Sequence, residues 1–338
     1  MSFTLLIATI LAFATTAAVT PKLMAFNERI GLTGVDIHKA TRPRIAESGG
    51  VAVLCGALIG SFGFIWMKVF VYGGFENLPA ALAALSTILI AAFIGFFDDL
   101  FSMLKKTDGK TGFKRIGLPQ WAKPLLMVPA AIPLMAIMAG EATILVPFFG
   151  AINFGILFPL LLVPLAVVGA SNATNMLAGL NGLEVGLGAV LLGSLGLFAA
   201  VNGQTAAMTI ALPLAGALAG FFVWNRYPAR IMPGDSVSYI IGAAVATVAV
   251  IGNMERFAVL SFAPWFLELI LKSRGCFKRQ SFGILRQDGT LALPYPKVYS
   301  LTHVMMRIGH LTEKRIVLFL IVAELVVCAT AWVLYWPF

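Results

Sequence analysis

Charged residues are scarce in this chain. Asp, Glu, Lys and Arg make up 12% of its 338 residues, and 59% are hydrophobic. A soluble domain carries about 25% charge, so a soluble globular class is excluded. Cysteine is scarcer still. Cys55, Cys276 and Cys328 lie far apart with no paired spacing, which excludes a thiolate metal site and a disulfide framework and leaves them as small apolar residues. No repeat, heptad run or low-complexity tract marks off a second domain, so residues 1–338 read as one integral membrane unit. No Lys or Arg precedes the first apolar run, and Lys22 follows it. A cleaved signal peptide has the reverse charge order, so a retained first helix is expected.

What the chain does have is long apolar runs, near residues 2–20, 50–71, 79–97, 121–139, 154–171, 185–201, 205–224, 236–252, 257–271 and 316–336. Each approaches the roughly 20 residues needed to cross about 30 Å of hydrocarbon. None alternates as a barrel strand does, and lipid requires backbone groups to be paired within the segment. The expectation is an all-α polytopic membrane protein with about ten transmembrane helices.

The basic residues then set the orientation. Lys22, Arg29, Lys39, Arg42 and Arg44 follow the first run, and Lys105, Lys106, Lys110, Lys114 and Arg115 follow the third. Arg226 and Arg230 follow the seventh run. Lys272, Arg274, Lys278, Arg279, Arg286, Lys297, Arg307, Lys314 and Arg315 follow the ninth. On the other side only Arg256 lies in a loop, with Lys68 and Lys123 at helix ends. By the positive-inside rule the basic loops face the cytoplasm and both termini face away from it. The net charge of +9 is thus gathered on one membrane face, where anionic lipid headgroups account for it without nucleic acid.

Polar residues collect on that same face. The stretch "GASNATNMLAGLNGLEVG", residues 169–186, holds Asn172, Asn175, Asn181 and Glu184. Asn172-Ala173-Thr174 matches a glycan acceptor pattern, but the cytoplasmic side is not where oligosaccharide is transferred, so the match is a decoy. A small-residue packing seam is the competing reading. Asp98 and Asp99 end the third run, where one carboxylate is ordinary and two adjacent ones repel unless cations intervene. Asp235 in "MPGDSVSY" suits a helix N-cap, as do Glu47 and Ser48 in "RPRIAESGG". Lys123 stands in the first turn of the fourth helix, where the helix dipole disfavours a cation and an anionic partner is expected. Carboxylate and amide oxygens suit Mg²⁺, and Lys and Arg suit phosphate. The residues alone therefore point to a membrane-embedded enzyme that handles a phosphorylated substrate, such as a diphosphate with Mg²⁺, at its cytoplasmic surface. The interiors of the runs hold few charges, Glu268 and Glu324 being the main exceptions. That speaks against the alternative from another class, a transporter for a phosphate or nucleotide-sugar solute, which places such groups near the midplane.

"IGFFDDL", "NATNMLAGLNGLE" and "MPGDSVSY", in this order, resemble the polyprenyl-phosphate N-acetylhexosamine-1-phosphate transferase family, and the resemblance spans nearly the whole chain. Bacterial members carry a DGxDG element where this sequence reads Ala178-Gly179-Leu180-Asn181-Gly182. With "GVDIHKATRPRIAESGG", this makes the chain most similar to the eukaryotic and archaeal branch, which acts on dolichyl phosphate. The resemblance implies that GlcNAc-1-phosphate passes from UDP-GlcNAc to a polyprenyl (dolichyl) phosphate, giving GlcNAc-diphospholipid and UMP. This is the first step of lipid-linked oligosaccharide synthesis for N-glycosylation. The bacterial-type reaction on undecaprenyl phosphate is the alternative within enzymes.

Carried over residue by residue, the resemblance gives Asn175 and Asp235 the metal, Mg²⁺ or Mn²⁺, and Asp98 and Asp99 the neighbourhood of the attacking lipid phosphate. Lys123 matches a phosphate-contacting lysine, Asn181 a uracil-recognising asparagine, and Glu47 a glutamate beside the nucleoside pocket. The long cytoplasmic loop 272–315 corresponds to the sugar-recognising segment. There "GCFKRQ" places Lys278, Arg279 and Gln280 on an Arg-His-Arg element, a departure at all three positions. The bacterial His-rich motif is absent, and His303 and His310 read as interfacial polar residues. The GxxxG seams Gly56/Gly60 and Gly216/Gly220 permit packing within the chain or a homodimer.

Overall fold

The computed structural model of the chain describes residues 3–103, 119, 121–146 and 149–336. In order, α1 (Phe3–Arg29) is followed by a hairpin of β1 (Thr33–Val35) and β2 (Arg44–Ala46), then by α2 (Gly50–Phe70) and α3 (Leu78–Met103). Two short helices, α4 (Ala122–Met127) and α5 (Ile132–Ala136), lead to a second hairpin, β3 (Thr143–Val146) and β4 (Gly150–Asn153). Next come α6 (Val163–Met176), α7 (Leu183–Val201), α8 (Thr205–Asn225) and α9 (Gly234–Ile251). The chain ends with α10 (Glu255–Ser261), α11 (Ala263–Ser273), a third hairpin of β5 (Ile284–Leu285) and β6 (Leu291–Ala292), α12 (Leu301–Ile308) and α13 (Glu313–Tyr335). All three hairpins are antiparallel.

Among the described residues eight helices are long and apolar enough to cross a membrane: α1, α2, α3, α6 with the π-helical turn before it, α7, α8, α9 and α13. They account for eight of the ten apolar runs. The other two runs form interrupted helices. Residues 121–139 carry Pro124, Pro129 and Pro133 and divide into α4, a 3₁₀ turn and α5. Residues 257–271 divide between α10 and α11 at Phe262, with Pro264 in the first turn of α11. Proline lacks the N–H that continues a helix and crowds the carbonyl four residues back. The basic residues Lys105, Lys106, Lys110, Lys114 and Arg115 lie outside the described residues.

The centre of the bundle is α9, whose residues from Ser236 to Ile251 are all buried. It is about 27 Å long and is surrounded by α3, α6, α7 and α8. On one flank α1 packs against α2 and α8. Both GxxxG seams are used there. A Cβ on Gly56 or Gly60 would collide with Thr16 or with the Ala8 and Ala12 turn, and one on Gly216 or Gly220 with the backbone of Thr9 or Phe13. The seams therefore pack α1 within the chain. Large apolar side chains such as Ile10 and Phe13 on α1, and Leu325, Val326 and Val333 on α13, point outward, as contact with lipid requires.

Because the helices alternate in direction, their polar termini meet at one end of the bundle. There the first hairpin and the α8–α9 connection are tied by backbone bonds, with Met232 N–H donating to Ala46 O (2.8 Å) and Gly49 N–H to Pro233 O (2.9 Å). The opposite end is marked by Glu141 N–H donating to Asn253 Oδ1 (2.9 Å).

Candidate active site

Asp235 does not cap α9 with its own side chain. The cap comes from α3: Asp99 Oδ1 accepts the Asp235 N–H (2.7 Å), and Asp99 Oδ2 accepts the Ser236 hydroxyl (2.9 Å) and its N–H (3.4 Å). An acidic side chain here satisfies N–H groups that a helix start leaves open and matches the positive end of its dipole. Gly234 makes the insertion possible, since its φ is +73° and a Cβ would collide with the Asp99 carboxylate. Ser48 and Glu47 close over the same point. The Ser48 and Ser236 hydroxyls lie 3.4 Å apart, and Glu47 is near enough to Asp99 to act on its charge. Neither caps α2, which has no side-chain cap.

With Asp99 below it, the Asp235 carboxylate faces the other way. Lys123, in the first turn of α4, places its Nζ 2.6 Å from Asp235 Oδ2 and 2.6 Å from Asp98 Oδ2. The anionic partners that the helix dipole calls for are these two carboxylates. Asp98 is buried, whereas the side chain of Asp235 keeps 28% of its surface, so the trio opens on one side. Asn175, in the last turn of α6, interacts with Asp235 and lies beside Tyr239, one turn along α9. The Tyr239 hydroxyl is buried there without a partner in good hydrogen-bond geometry. Oxygens of Asp98, Asp235 and Asn175 form a hard donor set of the kind Mg²⁺ or Mn²⁺ takes, and the unpartnered Tyr239 hydroxyl adds polar capacity to the same wall. The donor set fits such an ion.

Asn181 lies at the centre of a second cluster. Its Nδ2 donates to Glu313 Oε1 (2.6 Å) and Asp36 Oδ2 (3.2 Å), its backbone N–H donates to Glu313 Oε1 (2.7 Å), and its Oδ1 accepts the Ala229 N–H (2.7 Å). Lys39 Nζ meets Glu313 Oε2 (2.6 Å) and Asp36 Oδ2 (3.3 Å) and sits over the Tyr227 ring (3.9 Å). His38 Nε2 accepts the Gly283 N–H (3.2 Å), so its Nδ1 carries the proton that faces Glu313 Oε1 (3.8 Å). This hub pins the first hairpin, the α6–α7 and α8–α9 connections, the 272–315 segment and the start of α13 to one another. Sequence reasoning missed Asp36, His38, Lys39 and Glu313 as a group, because their partners are distant in the chain. The only signal was their place in the quoted "GVDIHKATRPRIAESGG" stretch and in the basic segment before the last run.

Asn172 takes no part in either cluster; its Nδ2 donates to Val168 O one turn back in α6 (2.8 Å). Thr174 of the same triplet is buried and donates to Ser238 O of α9 (2.6 Å). The glycan-acceptor pattern is therefore helix packing.

The 272–315 segment folds over the same end. Lys278, Arg279 and Gln280 are exposed, and the Arg279 guanidinium lies over the Tyr295 and Tyr299 rings at 5.0 and 5.8 Å. His303 is not interfacial: it is buried, accepts the Tyr299 N–H at Nδ1 (3.3 Å) and pairs through Nε2 with Phe282 O (3.3 Å). Burial pushes its pKa down to about 4.

Comparison with known proteins gives the chain's relatives. The family model described as glycosyl transferase family 4 matches residues 81–253. A Sulfolobus acidocaldarius protein, provisionally named UDP-N-acetylglucosamine–dolichyl-phosphate N-acetylglucosaminephosphotransferase, is 33% identical over 93% of this chain and 91% of its own length. A Saccharolobus solfataricus protein of the same provisional name is 35% identical over 85% of this chain and 83% of its own. A Streptococcus thermophilus phospho-N-acetylmuramoyl-pentapeptide-transferase is 29% identical over 78% and 76%.

Proposed function

Because the chain belongs to glycosyl transferase family 4, and is an integral membrane protein, we propose that it transfers GlcNAc-1-phosphate from UDP-GlcNAc to a polyprenyl phosphate of the dolichyl type. The products are GlcNAc-diphospholipid and UMP. The two archaeal relatives carry this activity in their names and cover most of the chain. The observation that carries the reading is the Lys123 ammonium held 2.6 Å from both Asp98 and Asp235 at the polar end of the bundle, with Asn175 beside them.

In this reaction a lipid-phosphate oxygen forms a bond to the β-phosphorus of UDP-GlcNAc. The bond from that phosphorus to the bridging oxygen breaks, and UMP leaves with the oxygen. The second pKa of a phosphomonoester is about 6, so the nucleophile is ionised at neutral pH and no strong base is needed. Positioning and charge neutralisation carry phosphoryl transfer. Asp235 and Asn175, with Asp98 nearby, would hold Mg²⁺ or Mn²⁺, which neutralises charge on the diphosphate when bound. Lys123 supplies a fixed positive charge to the transferring or leaving oxygens. Asp99 keeps α9 capped so that Asp235 points into the pocket. Glu47 and Asn181 border the nucleoside side, and Lys278, Arg279 and Gln280 the sugar side. For Asn181 the side-chain bonds to Glu313, Asp36 and Ala229 engage both ends of the amide, which supports a role in shaping the uracil wall. The site faces the cytoplasm by the charge rule, with both termini opposite.

The test uses purified protein, Mg²⁺, dolichyl phosphate and radiolabelled UDP-GlcNAc. Label should move into the organic phase with equimolar UMP. Asp235→Ala and Asn175→Ala should lose the Mg²⁺-dependent signal while still inserting into membranes. Wild-type turnover in either variant sinks the metal assignment, and failure to label lipid with any UDP-N-acetylhexosamine sinks the activity.

A further inference from the structure

Two buried charges outside the pocket remain unexplained by the reaction. Glu268 and Lys272 lie one turn apart on α11, both buried, with Nζ 3.7 Å from Glu268 Oε1. A buried ion pair is weak as a source of stability, since apolar residues of similar volume often do as well. Here, however, the hydrogen bonds of both residues run to one segment. Glu268 Oε2 accepts the Leu301 N–H (2.7 Å) and the Ser300 hydroxyl (3.1 Å), fixing the start of α12. Lys272 Nζ donates to Arg279 O (2.9 Å) and Ser281 Oγ (2.7 Å).

Ser281 passes the constraint on. With its oxygen accepting from Lys272, its hydroxyl donates to Met176 O (3.1 Å), the residue next to Asn175, with Glu268 Oε1 as a longer second acceptor (3.4 Å). Beside it, Phe282 lies against Gly179, where a Cβ would collide with its ring, and the Gly283 N–H donates to His38. The turn before Ser281 needs such restraint. Cys276 and Phe277 have φ of 51° and 59°, two successive side-chain-bearing residues in a left-handed conformation that persists only when its surroundings hold it.

We infer that the Glu268–Lys272 pair is a positioning device for donor-sugar selection: it clamps the 276–280 turn and Ser281 onto the end of α6. Lys278, Arg279 and Gln280 are thereby presented at a set distance from Asn175. The pair touches no reacting atom. This rests on the proposed reading of the pocket for its substrate, but not for its mechanics.

The experiment compares the full-length wild type with Lys272→Met and Ser281→Ala in detergent micelles. The readouts are transfer from UDP-GlcNAc, transfer from UDP-glucose, which lacks the N-acetyl group, and trypsin cleavage after Arg274, Lys278 and Arg279. In both variants KM for UDP-GlcNAc should rise about tenfold with kcat within about threefold, the pattern of lost positioning rather than lost chemistry. Preference over UDP-glucose should fall by about the same factor, and KM for the lipid phosphate should stay unchanged. Cleavage in the turn should be at least about fivefold faster, because a released turn opens more often. A fall in kcat with unchanged KM, or unchanged selectivity and cleavage, overturns the inference. If the wild type makes no lipid-linked product from UDP-GlcNAc, the activity reading fails, and the cleavage rates alone decide whether the pair holds the turn.

Discussion

On α3, consecutive carboxylates have different partners: Asp99 accepts the N–H groups that open α9, whereas Asp98 meets the Lys123 ammonium. Charge and capping are thus separable by substitution. Asp99→Asn keeps an oxygen that can cap, and Asn caps about as well as Asp, whereas Asp99→Ala should lower stability by about 1–2 kcal/mol. Asp98→Asn should leave thermal unfolding in detergent nearly unchanged and lower turnover on the order of 10²-fold, the usual cost of removing one charge-organising group. Equal effects of Asp98→Asn and Asp99→Asn in both measurements would contradict this division. The pair was legible in the sequence as two carboxylates after an apolar run, because that is costly at a membrane surface. Which one faces the pocket was not legible, because it depends on Gly234, more than a hundred residues away, leaving room for Asp99.

At the scale of elements, hydropathy located the runs well, and local breaks decided what they became. Residues 50–71 and 205–224 became the single helices α2 and α8, and Pro213 did not interrupt α8. Three prolines in 121–139 did divide that run, and a hydropathy window does not register proline spacing. The short 272–315 elements carry a pH dependence of their own. Neutral His303 accepts a backbone N–H at Nδ1, which protonation would abolish, and burial holds its pKa at about 4, against about 6.5 in an unfolded chain. The undocked segment therefore binds the extra proton first. Docking of α12 is fully supported above about pH 6.5 and weakens as the pH falls toward 4. Hydrogen exchange of residues 301–308, corrected for intrinsic rates, should show less protection at pH 5 than at pH 7.5. In His303→Gln this difference should vanish; its persistence would assign the effect to another group. Asn172→Gln should change neither electrophoretic mobility nor turnover, because its side chain bonds only within α6 and its Thr174 is buried against α9.

For the whole molecule, polarity sorts by end. Asp98, Asp99, Lys123, Asn175, Asn181, Asp235 and Glu313 gather at one end through bonds between residues distant in sequence. The sequence showed that the clusters share a face, since the basic loops mark every second connection. The pairings within that face depend on how eight helices pack, which no local pattern carries. By the positive-inside rule the same asymmetry predicts how the protein should sit in its membrane, and one native thiol would report it. Cys276 is exposed in the 272–315 segment, Cys328 is buried in α13 and Cys55 is partly buried in α2. With four basic residues within four positions of it, Lys272, Arg274, Lys278 and Arg279, Cys276 belongs to the face that the charge rule turns toward the cytoplasm. A membrane-impermeant maleimide should leave intact cells or spheroplasts unlabelled at Cys276 and modify it in inverted vesicles, and Cys276→Ser should remove that signal. Labelling from the outside would reverse the orientation. It would also turn the proposed active site away from the cytoplasm, so the same experiment tests the orientation of that site.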